Sequence, residues 1–400
     1  MDPETIQKLL ADVQTSLATF QSAPTDTYRI EAQEKALKLA RALEKPRDVI
    51  LHVSLLPTVV MAIKVAHDLH VFPTLAKATS PVPLDELAAL KPADPLLVER
   101  IMRVLVANDF AEEPEPCQYL PTALTKEMTQ RASIGVMESI FLEFLPAICK
   151  VPEYLQTIGY KNPEDPLFAP LQYAHNFSQK DGFSWLCENP AALSRFNGYM
   201  EGQRADRPHW ADWFPVQDQI LAGAHKGSDG TLLVDIGGGR GHDLIGLKQR
   251  FSDAPGKLVL EDLPMVIDEA RSALDLAGNG IDVLGYDFFA QEQPVKGARV
   301  YYFRNIIHDW SDEKARIIFK NLVPAMEYGY SKVIMEEYIL PDKNARGVES
   351  MTDIAVMIFC SGLERTRQRL TNLLESAGLK VNKFWTREGY GQGIIEAELA

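Results

Sequence analysis

Four cysteines in 400 residues, Cys117, Cys149, Cys187 and Cys360, are too few and too scattered for a CxxC pair or a set of metal ligands. They read as the reduced thiols of a cytoplasmic protein. Basic charge is also scarce. With 41 Lys and Arg against 55 Asp and Glu, the net charge of −14 excludes general binding to nucleic acid or to an anionic membrane. Met1-Asp2-Pro3-Glu4 has neither the basic nor the apolar region of a signal peptide. No uninterrupted apolar run reaches the roughly 18 residues of a membrane span. Internal repeats and low-complexity tracts are missing too. The 46% of hydrophobic residues then go into cores, enough for two or three globular domains.

Three regions follow along the chain: 1–130, 131–225 and 226–400. Residues 4–45 carry apolar positions at helical spacing (Ile6, Leu9, Leu10, Val13, Leu17), Pro46 punctuates, and 50–70 is a strongly apolar helix. Asp94-Pro95 reads as an N-cap with proline in the first helical position. Phe110–Glu112 and Gln118–Pro121 read as the strands of a small wing. A winged helix invites a DNA-binding regulator. Against it, residues 84–128 hold nine acids (Asp85, Glu86, Asp94, Glu99, Asp109, Glu112, Glu113, Glu115, Glu127) and four bases (Lys91, Arg100, Arg103, Lys126). A groove-reading surface should be basic. Residues 133–225 are helical and rich in aromatics and methionine. From 230 onward strands are expected at 231–236, 257–261, 281–284, 299–303, 331–336 and 394–398, with helices between. That alternation predicts an α/β domain with a mostly parallel sheet, Rossmann-like in kind.

The first of those strands runs into Asp235-Ile236-Gly237-Gly238-Gly239-Arg240-Gly241. A dinucleotide fingerprint G-x-G-x-x-G counted from Gly237 needs its third glycine at 242, which is His242. The glycines instead fall at 237, 239 and 241. An acid at the strand end would repel a pyrophosphate and suits a cation. S-adenosylmethionine (SAM), with a sulfonium and an ammonium, fits. A second acid, to accept ribose hydroxyls, belongs at the end of the next strand, where Glu261-Asp262 stands, and Asp287 after the third strand is placed near the adenine.

His308, after the fourth strand, faces the same crevice and is the side chain best suited to take a proton near neutral pH. Asp309 adjoins it. Glu337 and Glu364 are carboxylates that can orient such a base. Taken singly, Glu337 reads better as a solvated strand-end acid and Glu364 as an exposed partner of Arg365. Glu336-Glu337 is a doublet, and period-2 alternation lets only one of the two face the site.

Five motifs in this order resemble the O-methyltransferases of plant caffeate and flavonoid type and of fungal secondary metabolism: Val234–Gly241, Glu261–Ile267, Ile307–Glu313, Glu337–Pro341 and Gly362–Thr366. The likeness runs from about residue 45 to the end of the chain. It implies a mostly parallel seven-stranded sheet in the carboxyl-terminal domain, and an all-helical, winged-helix-like amino-terminal domain that dimerises. It implies SAM as cofactor, S-adenosylhomocysteine as product, and a small aromatic or polyketide-like acceptor. By motif position, Asp235, Gly237, Gly239, Gly241, Asp262, Leu263, Asp287, Phe288 and Arg304 hold the cofactor. His308 is the base, with Glu337, Glu364 and Asp309 beside it and no metal. Phe196 and Met200 sandwich the acceptor ring, with Gln203 and Phe359 nearby. Arg304 replaces a lysine of the pattern, and Gln203 and Phe359 replace the histidine and asparagine of many plant members, which makes the pocket less polar. Some fungal relatives keep the scaffold and bind the cofactor but act as cyclases or pericyclases, using the sulfonium as a fixed charge.

Overall fold

The computed structural model describes residues 2–205, 207–225, 230–387 and 391–400, the side chains of 201 and 203–205 excepted. The chain forms two compact units, 1–150 with 183–207, and 151–182 with 208–400. The stretch 131–225, read from the sequence as one segment, divides between them.

In the first unit the stretch 4–45 is helical as expected and forms two helices, Pro3–Ser22 and Asp26–Leu43. Pro24 cannot donate an i→i−4 bond, and the Thr25 side chain caps a new start by accepting from Tyr28 N–H. Pro46 opens a helix rather than ending one, standing first in Pro46–Asp68. Asp94 caps Pro95–Ala107 as expected, accepting from Leu96 N–H at 2.8 Å. The wing has three strands rather than two: β1 (Val82–Pro83), β2 (Glu112–Glu115) and β3 (Gln118–Leu120), in the order β1-β3-β2. Ala62, Ala66, Phe72, Leu75, Leu87, Val98, Met102 and Leu105 close the core against it. Helix Arg131–Ser139 packs on Pro190–Ala205 with backbones almost touching: a Cβ on Gly135 would lie 2.6 Å from the Gly198 carbonyl carbon.

Two helical stretches depart from the expectation that no apolar run is long enough for a membrane. Pro46–Asp68 and Arg131–Thr157 each contain an 18-residue window of high mean hydropathy, 2.0 and 1.6. Such a window tolerates the isolated interruptions of the first helix (His52, Ser54, Pro57, Thr58, Lys64), which the eye counts as breaks. By length and composition alone, both pass as spans.

In the second unit all six expected strands form: β4 (Thr231–Ile236), β5 (Lys257–Asp262), β6 (Ile281–Gly285), β7 (Val300–Arg304), β8 (Lys332–Leu340) and β11 (Gln392–Leu399). A two-residue β9 (Arg365–Thr366) pairs with the end of β8, and β10 (Leu379–Thr386) completes the sheet. β10 escapes sequence reading because it is a half-exposed edge strand whose register shifts between Val381 and Lys383, which breaks the period-2 signal. The main path is β10-β11-β8-β7-β4-β5-β6, seven strands, parallel from β8 to β6 and antiparallel at β11 and β10. The chain steps outward from β4 through β5 and β6, then returns to β7 on the other side of β4. The carboxyl ends of β4 and β7 are therefore a topological switch point, where a crevice opens. Alternation sends Val234 and Ile236 into the core with Phe303 and Phe319, and Leu233 into the opposite core with Leu260, Tyr302 and Trp210.

Glu261 is fully buried beside that edge. One oxygen accepts from Gln293 Nε2 at 2.7 Å; the other, Oε1, has no hydrogen-bond partner. Burial pushes its carboxyl up to about 7, against the Gln293 bond. A carboxyl raised this way favours folding below its unfolded pKa, and the contribution is lost as pH rises through about 7. Chemical unfolding from pH 5 to 8 should show a loss for the native chain that Glu261→Gln flattens, by a few kcal/mol at most. Equal slopes in the two proteins would disprove it.

Candidate active site

The glycine turn is built to leave a concavity. Gly237, Gly239 and Gly241 have φ of +73°, +61° and +80°, conformations that L side chains rarely adopt. Gly238 is closed on one side, since a Cβ there would fall 2.4 Å from the Asp235 carboxylate. Gly239 is open: a Cβ there would meet nothing within 4 Å. Gly241 ends the turn and starts the helix His242–Arg250. Asp235 is buried at the carboxyl end of β4.

Asp262 anchors this turn from β5. Its Oδ2 accepts from Gly239 N–H at 2.9 Å and its Oδ1 from Leu263 N–H at 2.7 Å. Burial raises its carboxyl while those two N–H groups lower it, and the net direction is up. Asp287 closes an Asx turn by accepting from Phe289 N–H at 2.9 Å, and Phe288 packs edge-on against Phe289 and Trp310.

Arg304, at the end of β7, is bound by two acids. Nη1 meets Asp243 Oδ1 at 2.6 Å in the first turn of the helix after the glycine loop, and Nε stands 3.4 Å from Glu336 Oε2. Burial opposes its charge, but Asp243 and Glu336 outweigh that and raise its pKa. Tyr302 also donates to Glu336 Oε2, at 2.7 Å. Arg304 therefore ties β7 and β8 to the helix behind the glycine turn.

This arrangement resolves the acid doublet. Glu336 faces Arg304 and Tyr302. Glu337 points the other way, its Oε1 accepting from Ile306 N–H at 3.2 Å and Ile307 N–H at 2.8 Å. Those amides begin the Ile307–Asp309 turn that carries His308. His308 Nδ1 lies 2.7 Å from Glu364 Oε1, and its Nε2 is 3.5 Å from Asp309 Oδ1. Both glutamates are buried, so neither is the exposed acid that a single-residue reading allows; each keeps one oxygen with no hydrogen-bond partner. Glu364 does not pair with Arg365, whose contacts are with the His308 turn and Asp312.

The charges here are coupled. Burial alone would push the His308 imidazole down, but the carboxylates of Asp309, Glu364 and Glu337 overcome it and hold it well above its ordinary value. Burial lifts Glu337 to about 7 and Asp309 to about 6, with His308 opposing both. Sequence reasoning missed Cys360, whose buried Sγ lies 3.6 Å from Asp309 Oδ1, and Asp353, which accepts from Glu364 N–H at 2.8 Å. Asp353 sits on the helix just before the Gly362–Thr366 motif. Cys360 ends that helix but belongs to none of the motifs.

The other predicted side chains belong to different units. Phe196 packs against Phe183 and Tyr199 in the first unit, with Met200 one helical turn on. The Gln203 side chain is outside the described residues. Phe359 is buried in the second unit, in contact distance of Gly182.

A parallel sheet with a glycine turn at its switch point, an acid after each of the first two strands and a histidine–carboxylate pair across the crevice defines a SAM-dependent methyltransferase. The chain belongs to the O-methyltransferase family: the family models for the O-methyltransferase domain and for its dimerisation domain match residues 212–380 and 52–131. It is 38% identical to the O-methyltransferase asqD of Emericella nidulans over 85% of this chain and 87% of that protein. It is 27% identical to LepI in its complex with SAM, at a TM-score of 0.86 covering 99% of both chains. A pericyclic reaction enzyme is equally similar, at 27% identity and TM-score 0.86 over the whole of both chains. The protein is thus a SAM-dependent O-methyltransferase.

Proposed function

We propose that this enzyme methylates a phenolic or enolic hydroxyl of a small aromatic or polyketide-like natural product, with His308 as the base. The observation that carries the reading is the His308–Glu364 contact of 2.7 Å, made by a fully buried carboxylate. Glu364 fixes Nδ1, which directs Nε2 to the acceptor hydroxyl, and Glu337 holds the turn beneath. The open face at Gly239 and the acids Asp235 and Asp262 fit the cofactor, with Gly237, Gly241, Leu263, Asp287 and Phe288 completing its cradle and Arg304 bracing it. When bound, SAM supplies an electrophilic methyl group. His308 takes the hydroxyl proton as the oxygen becomes the nucleophile, and holding the acceptor in line with the methyl supplies much of the rate. Phe196, Met200, Gln203 and Phe359 are assigned to the acceptor. Incubation with SAM and a panel of phenols and enols, with release of S-adenosylhomocysteine as readout, tests this.

The likeness to a pericyclic reaction enzyme supports a second reading, in which the cofactor's charge assists a cyclisation and no methyl is transferred. Product formed with SAM present but without S-adenosylhomocysteine would decide for it.

His308, Glu337 and Glu364 present atoms within 4.8 Å of one another, a spacing compatible with a metal ion. Glu337 is instead bonded to two backbone N–H groups and Glu364 to the imidazole, and we assign them no metal. Dialysis against EDTA is expected to leave turnover within 20% or so, since methyl transfer to a deprotonated oxygen needs no Lewis acid once a base is in place. Loss of activity restored by a divalent cation would overturn this.

The same proposal includes a cytoplasmic homodimer that binds neither nucleic acid nor membrane. Ile50, Leu51, Val53 and Leu55 are between 51% and 68% exposed beside and within the stretch matched to the dimerisation domain, and a second copy is the occupant we assign to them. Light scattering and vesicle co-sedimentation separate a dimer from a membrane-bound form.

A further inference from the structure

We infer that Arg365 is a positioning residue that sets the geometry of the base, an inference that rests on His308 acting as base. Arg365 stands in β9 next to Glu364, and its side chain is 1% exposed. A buried guanidinium needs most of its five N–H groups satisfied. Here they go to the turn that carries the histidine. Nη1 donates to Ile307 O at 2.9 Å, Nη2 to Trp310 O at 2.6 Å and Nε to Asp312 Oδ1 at 2.8 Å. The His308 carbonyl, which lies between these two, is taken as well, since Leu363 N–H donates to His308 O at 2.7 Å. Gly362 lets the two segments come this close: a Cβ there would fall 2.3 Å from His308 O.

The 362–365 segment therefore grips the backbone on both sides of His308 while its Glu364 side chain holds the ring. A slip of this segment would move both together, so the Nδ1–Oε1 distance depends on the grip. Only a planar fork reaches carbonyls on both sides of the turn and the Asp312 carboxylate at once. Lysine, a single point donor, can keep one of these bonds. The groups acting on the imidazole are Asp309, Glu364 and Glu337, with Cys360 behind Asp309 and Asp353 behind Glu364; Arg365 bonds no carboxylate among them.

The test uses the full-length Arg365→Lys enzyme, with Arg365→Gln as a second variant and calorimetric SAM binding to count folded sites. Per folded site, kcat should fall at least 30-fold with KM for SAM within threefold. The acid limb of kcat/KM should move toward lower pH as the Glu364 contact loosens. A purely structural role would lower the number of SAM-binding sites and leave kcat per site and the pH limb where they were; that result overturns the proposal. His308→Ala is run beside them. If it keeps its turnover, the base assignment has failed. If it loses turnover while Arg365→Lys matches the native enzyme, the role of Arg365 alone has failed.

Discussion

Replacing His308 with alanine should lower kcat about 10³-fold, some 4 kcal/mol of barrier, and leave SAM affinity within threefold. A phenol has a pKa near 10, so almost none is ionised at neutral pH, and methyl transfer to the neutral oxygen leaves a proton with nowhere to go. On the proposed reading His308 takes that proton, with Glu364 Oε1 2.7 Å from its Nδ1. SAM affinity should survive because the glycine turn, Asp262 and Asp287 are held by bonds that do not involve His308. His308→Ala with more than a tenth of native kcat would remove it as base. Weak SAM binding with normal kcat at saturation would place it with the cofactor.

The pH profile gives an independent check. The carboxylates of Asp309, Glu364 and Glu337 raise the imidazole well above its ordinary value. A base must be unprotonated to act, so kcat/KM should climb with pH along a limb whose midpoint lies above about 6.5. Glu364→Gln removes one of those charges, and the limb should shift to lower pH as kcat falls. A limb at or below the ordinary histidine value in the native enzyme would show that the free site does not hold the proton this way.

Most of the second unit was legible because its signals are local. A buried parallel strand must be a continuous apolar run, and a turn approaching a ligand must be glycine. Hence Thr231–Ile236 and the 237–241 turn could be located from the sequence to the residue. β10 was hidden because an edge strand need bury little, and its register shift erased the alternation. The long apolar helix Pro46–Asp68 was visible, but not which of its leucines and isoleucines stay exposed, because its apolar residues run round the whole helix rather than along one face. Which of Glu336 and Glu337 serves the site was unreadable: both are buried, and only the three-dimensional position of Arg304 and of the Ile306–Ile307 amides separates them. Arg365 was misread for a related reason. Next to Glu364 in sequence, it looks like a surface partner, yet its side chain is buried and its partners at Ile307, Trp310 and Asp312 lie more than 50 residues away.

Asp262→Ala should weaken SAM binding about 100-fold, close to 3 kcal/mol, and lower turnover at subsaturating cofactor in proportion. The carboxylate has two tasks. On the reading proposed above it accepts ribose hydroxyls, and from the end of β5 it holds the Gly239 and Leu263 N–H groups at 2.9 and 2.7 Å. Alanine removes the ribose acceptor and frees the turn, and each charge-assisted bond lost is worth roughly 1.5–3 kcal/mol. Asparagine separates the tasks. Its one carbonyl oxygen can keep a single backbone bond, while its NH2 cannot accept from a ribose hydroxyl, so Asp262→Asn should bind SAM more weakly than the native protein yet more tightly than the alanine variant. Both should keep a near-native kcat at saturating SAM, because neither oxygen of Asp262 contacts the His308 turn. Calorimetric titration with SAM and with S-adenosylhomocysteine supplies the affinities. Equal affinity in all three proteins would take Asp262 out of the cofactor site and leave it only as the brace of the glycine turn. A fall in kcat at saturation as large as the fall in affinity would mean that the turn and the base are coupled through β4 and β7, the two strands that flank the switch point.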